Sequence, residues 1–192
     1  VIDNQFIEDL NVGTNSEWIM DKIGIRTRLS SLPLAYIQET KNHDPRKAVE
    51  VASASATSLV LDAIKLALKR ANLEPKDIGL VLGNCCTPSH TAPAEAQRVA
   101  SLLGIQAKAY DVFTACPVIA LHLDYLSRFA EDKLPENILC FSSATLTQCV
   151  NYNDRSDGAI WGDGAAAWIV SKRKPGKLQG IETSYTSEPT QL

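Results

Sequence analysis

No run of apolar residues in this sequence is long enough to cross a bilayer, and its start, Val1-Ile2-Asp3-Asn4, lacks the basic-then-apolar pattern of a secretory signal. A soluble, cytoplasmic protein is the expectation. Strong charge of either sign is missing too: the formal net charge is -3. The summed field therefore attracts neither nucleic acid nor an anionic membrane surface, and neither is expected as a partner. The cysteines, Cys85, Cys86, Cys116, Cys140 and Cys149, form no CxxC pair and no Cys/His spacing typical of zinc, and their number is odd. Reduced thiols, one of them open to catalysis, and no metal site are the reading. No internal repeat, low-complexity tract or Gly/Ser linker divides the chain.

What is present is an ordinary globular composition, 45% hydrophobic and 21% charged over 192 residues, enough to bury a core. Helical spacing runs from Ile2 to Leu10, and Asn15 or Ser16 is placed to cap a second short helix. Between Leu29 and Arg46 the pattern fades into a Ser/Pro/Asn/Asp-containing loop. From Ser55 to Asn72 apolar residues recur at helical intervals, and Lys69 and Arg70 suit the negative end of that helix.

After the break at Glu74-Pro75, strands and helices alternate: strand Ile78 to Leu82, helix Ala94 to Leu103, strand Ala109 to Phe113, helix Pro117 to Glu131 and strand Ile138 to Ser142. The Gly162-Asp163-Gly164 turn then leads to strands at Ala165 to Val170 and Leu178 to Thr183, with a sheet edge expected at Ile181 to Ser184. Such alternation predicts an α/β fold with a largely parallel sheet covered on both faces.

The junction YDVFTACPVIALHLDYLSRF is the most informative stretch. A strand ends at Thr114-Ala115, Cys116 occupies the turn, and Pro117 is expected at the first helical position. The positive end of the helix dipole and its unpaired backbone N–H groups favour a nucleophilic thiolate there. Val118, Ile119, Leu121, Leu123, Leu126 and Phe129 cover most of the helix circumference, which predicts a helix inside the molecule. Position alone leaves two readings of Cys116 open, nucleophile or small buried hydrophobe. For Cys85, Cys86, Cys140 and Cys149 the apolar surroundings favour packing.

Several separated motifs together resemble the β-ketoacyl-ACP synthase III branch of the thiolase superfamily. They are Thr114-Ala115-Cys116, the stretch Glu17-Trp18 through Gly24-Ile25-Arg26-Thr27-Arg28, and Asp154-Arg155 followed by Gly162-Asp163-Gly164-Ala165. The resemblance runs over essentially the whole chain. It implies a thiolase-like fold, the N-terminal half of a layered αβαβα architecture, with residues 1–192 lacking the first strand region and the C-terminal half. The absence of an initiating Met agrees with a chain that starts inside a longer product.

The resemblance further implies a Cys-linked acyl-enzyme formed from acyl-CoA and condensed with malonyl-ACP, with acyl-CoA as substrate and no cofactor. Cys116 would be the nucleophile, its own N–H an oxyanion donor. Trp18 and Arg155 would sandwich the CoA adenine, with Thr14 on the same group and Lys22 near the phosphates. Residue by residue, a core aromatic at Trp18 and a solvated loop charge at Arg155 are the alternatives. A loop from Thr87 to Pro93 would cross a homodimer interface, with Ala92 bounding the acyl pocket. Implied partners are acyl carrier protein, a second copy and the C-terminal half of the same protein.

Three features depart from the family pattern. Lys22 replaces an arginine, Pro117 follows the nucleophile where a small residue is usual, and His43, His90 and His122 match no catalytic position. Other readings are transfer to a hydroxyl or amine in secondary metabolism, a non-catalytic partner subunit, and a Cys hydrolase for which this chain offers no histidine.

Overall fold

The computed structural model describes residues 1–172, save the side chain of Ser156. These residues fall into two compact units.

The first unit comprises Val1–Ala63, Cys86–Ser89 and Ser143–Ala166. The expected helix from Ile2 is split: β1 (Ile2–Asp3) pairs antiparallel with β2 (Thr27–Arg28), and α1 (Asn4–Asp9) follows. The Asp3 carboxylate makes the break, accepting the Phe6 N–H at 2.8 Å as a helix cap does. Helix α2 (Ser16–Lys22) is capped by Asn15, whose side chain accepts the Trp18 N–H at 2.8 Å.

The expected loop from Leu29 to Arg46 instead contains α3 (Leu34–Thr40), and α4 (Pro45–Val51) opens at its end. Each helix buries one residue fully, Ile37 or Ala48, so the apolar stripe is too thin to read as periodicity. Lys41 and Asn42, both at φ 52, turn the chain out of α3 in the left-handed region. The fully buried Asn42 amide then donates to the carbonyls of Thr147, Gln148 and Val150 at 3.3, 3.1 and 2.8 Å. Ile2, Ile7, Ile19, Ile37 and Tyr152 lead the core of this unit.

Helix α5 (Ala56–Ala71) matches its expected span within a residue at each end. A four-stranded sheet follows in the order β4–β3–β5–β6, where β3 is Leu80–Gly83, β4 Lys108–Asp111, β5 Asn137–Thr145 and β6 Asp163–Ser171. Strand β3 is parallel to both β4 and β5. Strand β6 runs antiparallel to β5: Lys172 N–H donates to Glu136 O, and Thr147 N–H to the Asp163 carboxylate. Asp163 and Gly164 thus begin a strand rather than complete a turn. The strand expected at Leu178 to Thr183 and the edge at Ile181 to Ser184 lie outside the described residues.

The second unit comprises Ile64–Cys85, His90–Ser142 and the chain from Ala167. Its helices are α6 (Glu95–Leu103) and α7 (Val118–Ser127), and Leu80, Leu82, Leu126, Ile138 and Cys140 pack into one cluster. Helix α7 stops four residues short of the expected Glu131. The Arg128 and Phe129 amides bond back three residues, to Tyr125 O and Leu126 O, and tighten the last turn into a stop. Among the described residues it is buried along one stripe, Val118, His122 and Leu126, while Ile119 is 55% exposed. No single helix among the described residues is long and apolar enough to cross a membrane.

Candidate active site

Strand β4 delivers the chain to residues 112–117, and Cys116 lies in the turn between strand and helix, exposed together with Ala115 and Pro117. Pro117 is the N-cap rather than the first helical residue. Its carbonyl accepts the first helical bond, from Leu121 N–H at 3.0 Å, which places Cys116 one residue further outside the helix than expected.

This segment is tied down by groups of the same unit. The Asp111 carboxylate accepts the N–H groups of Glu95 and Ala96 at 3.0 and 2.9 Å, holding the start of α6. Val112 N–H donates to Gly83 O at 2.9 Å. Val112 O in turn receives His122 Nε2 at 2.9 Å, and Thr114 N–H donates to Asn84 Oδ1 at 3.0 Å. Gly83 must be glycine: a Cβ there would lie 2.4 Å from Asp111 Oδ1 and 2.8 Å from Phe141 Cζ.

The histidines are engaged away from the thiol. His43 Nδ1 is 2.8 Å from Thr40 O, His90 accepts from the Arg98 guanidinium, and His122 is fully buried with its ring against Trp168. Burial holds His122 below its ordinary range, so the ring is neutral. Because Val112 O only accepts, Nε2 carries the proton and Nδ1 is left as a buried acceptor without a partner.

In the first unit the structure brings Trp18, Arg155 and the segment at Thr14 together. Arg155 stands at the start of α8 (Arg155–Gly158) with its guanidinium 4.9 Å from the centre of the Trp18 ring, and Nη1 donates to Gly13 O at 2.9 Å. Gly13 reaches this position at φ +79, open to glycine without strain. The Thr14 hydroxyl beside it is buried and has no hydrogen-bond partner. Direct stacking leaves no room for a planar ring between indole and guanidinium, so holding one there requires Arg155 to swing aside. Lys22, at the end of α2, is exposed and bridges Asp21 at 2.8 Å.

A cleft of about 540 Å³ opens in the same unit, lined among others by Val49, Ser55, Thr87, Pro88, Thr145 and Cys149. Cys149, expected in the core, lines this cleft and is exposed; partial desolvation, then Asp163 and Asp157, push its thiol up. Cys85 and Cys140 are buried as expected, Cys140 pushed up to about 12 by desolvation. Ala92 is exposed, follows this loop into the other unit and is not among the cleft residues.

The sequence signature of the 3-oxoacyl-[acyl-carrier-protein (ACP)] synthase III family matches residues 110–189, which include Cys116, Arg155 and the Gly162-Asp163-Gly164 stretch. The β-ketoacyl-[acyl-carrier-protein] synthase III of Caldanaerobacter subterraneus subsp. tengcongensis is 30% identical over 175 residues, 91% of this chain and 46% of the relative. That of Campylobacter jejuni (strain 81116) is 30% identical over 186 residues, 96% of this chain and 51% of the relative. The crystal structure of 3-oxoacyl-[acyl-carrier-protein] synthase III from Aquifex aeolicus superposes with a TM-score of 0.75 at 26% identity, covering 91% of this chain and 50% of that one. Over about nine-tenths of its length the chain is thus similar to synthase III proteins of the thiolase superfamily. This domain spans about half the length of the curated relatives it matches. Its α/β architecture with a mostly parallel sheet is the expected thiolase-like one.

No sequence motif marks Asn84 or Asp163 as a working side chain, and the spacing of His122 from Cys116 gives it no role. Asn84 does leave a trace, a lone amide inside the apolar run from Ile78 to Cys86. Such a residue, once buried, must find partners.

Proposed function

We propose that this synthase III-like domain carries the acyl-accepting site of a condensing enzyme. The Cys116 thiolate attacks the carbonyl of an acyl-CoA thioester, CoA leaves as its thiolate, and the acyl group rests on Cys116 as a new thioester. Malonyl-ACP then loses CO₂, its carbanion attacks that thioester, and Cys116 is released as a 3-oxoacyl-ACP forms. The observation that carries this reading is an exposed cysteine at a strand-to-helix junction within the residues that match the synthase III signature.

The Cys116 N–H, close to the N-terminus of α7, suits an oxyanion donor. Trp18, Arg155 and Thr14 are the proposed adenine contacts, supported by the stacked pair and the partnerless Thr14 hydroxyl. Lys22 supplies a single positive charge for the CoA phosphates without the bidentate fork of an arginine. CoA thioester enters as substrate, and the reading calls for no resident cofactor.

The proposal extends to a cytoplasmic homodimer that meets acyl carrier protein, with Ala92 bounding an acyl pocket. It includes a C-terminal half of the same protein that covers the open side of α7 and supplies the groups that activate malonyl-ACP. The test is mass mapping of the full-length protein after incubation with acyl-CoA donors. An acyl adduct on the Cys116 peptide, abolished by Cys116→Ser, is expected; an adduct on Cys149, or one that persists in the variant, refutes the assignment.

A further inference from the structure

Cys116 sits on a short segment that two buried side chains clamp from two sides. Asn84 is fully buried at the end of β3. Both polar atoms of its amide are used, Oδ1 by Thr114 N–H at 3.0 Å and Nδ2 on Ser142 Oγ at 2.9 Å, and its backbone N–H donates to Phe141 O. It therefore fastens the residue two before Cys116 to strand β5. His122, also fully buried, reaches back from the second turn of α7 to Val112 O, four residues before Cys116.

Two wholly buried polar side chains are costly unless their hydrogen bonds are made. Here those bonds run to the backbone of the nucleophile segment, and a donor or acceptor lost at either end leaves a part-buried backbone group without its protein partner. Helix α7 is otherwise apolar along this stripe: Val118 and Leu126 flank His122 one turn away on each side. A leucine would fill such a site; the imidazole adds an N–H aimed at the Cys116 segment.

We propose that Asn84 and His122 are positioning residues, a pair of clamps on Thr114 N–H and Val112 O that fix where Cys116 and its N–H stand at the head of α7. This rests on the reading of Cys116 as the acyl acceptor. Neither residue touches substrate. Their effect is on the rate at which a bound acyl group meets the thiol, since misplacement of a reacting group by about 1 Å costs up to about 100-fold.

The test compares wild type with Asn84→Ala, His122→Phe and His122→Gln in the full-length protein, the last keeping an amide N–H where imidazole Nε2 stands. Single-turnover acylation by acyl-CoA gives a rate and a half-saturation concentration. Iodoacetamide labelling of Cys116, with Cys149 as reference in the same molecule, gives reactivity independent of acyl transfer. Expected for Asn84→Ala and His122→Phe is an acylation rate lowered about 10- to 100-fold with half-saturation unchanged within about twofold. The Cys116-to-Cys149 labelling ratio should shift, and His122→Gln should recover most of the lost rate.

Acylation and labelling ratio both equal to wild type in the folded variants overturn the proposal. So does a loss that tracks only melting temperature, or one that His122→Gln fails to restore. Wild-type protein that takes no acyl group at Cys116 refutes the acyl-transfer reading instead, and the labelling ratios then still decide the positioning.

Discussion

Removing the Asp163 carboxylate is expected to cost about 4 kcal/mol of stability. Asp163 is 9% exposed and accepts three hydrogen bonds: from Ser31 N–H at 2.6 Å, Thr147 N–H at 2.9 Å and the Thr147 hydroxyl at 2.7 Å. Its own N–H donates to Leu29 O at 2.8 Å. In Asp163→Ala the Thr147 hydroxyl can rotate, but two backbone N–H groups stay buried without an acceptor, at about 1–3 kcal/mol each. For a chain of this size that corresponds to a melting point lower by roughly 8–16 °C. Asp163→Asn keeps one amide oxygen for one N–H and turns an NH₂ toward the other, so about half the loss is expected. Calorimetry and urea titration of the three proteins measure it. A loss below about 1 kcal/mol for Asp163→Ala refutes the reasoning, because the buried N–H groups must then have found other acceptors.

Gly83→Ala drives a methyl group to 2.4 Å from Asp111 Oδ1 and 3.0 Å from Ala96 Cβ, so a destabilisation of about 1–3 kcal/mol in urea is expected; wild-type stability counts against the close packing described. His122 is held below its ordinary value of 6.5 by burial. The unfolded chain takes up a proton as pH falls through that value while the folded chain does not, so this residue's contribution is full above it and declines below it. Urea midpoints from pH 8 to 5 should therefore fall more steeply for wild type than for His122→Phe, and parallel curves refute the linkage. Trp18→Ala and Arg155→Ala should raise the KM for acyl-CoA at least about 5-fold while leaving acylation by a truncated pantetheine thioester nearly unchanged. Equal losses on the two donors indicate a structural role for the pair.

The parts of this domain that were legible in its sequence are those whose cause is local. Alternating apolar runs located β3, β4, β5 and α5 to within three residues at any end, because burial of a strand or a helix face writes its own period into the chain. Cys116 was legible because a turn between strand and helix is a local event. Helices α3 and α4 were not: each buries a single residue fully, and what holds this region is the Asn42 amide on carbonyls 105 to 108 residues away.

The same separation hides the support of the candidate site. Asn84 meets Thr114 across 30 residues, and Asp163 meets Ser31 across 132. A polar residue in an apolar run announces only that a partner must exist; which backbone group it meets is decided when the strands align. His122 shows the limit from the other side. Six residues past Cys116, on the helix that follows it, the ring is badly placed by spacing to reach the thiol, and the sequence sets it aside as a base. Spacing along the helix, however, says nothing of the segment that folds back beside that helix, and it is there, on Val112 O, that the ring makes its bond. A motif can thus propose a reactive atom, while the placement of that atom depends on contacts that exist only once the chain has closed on itself.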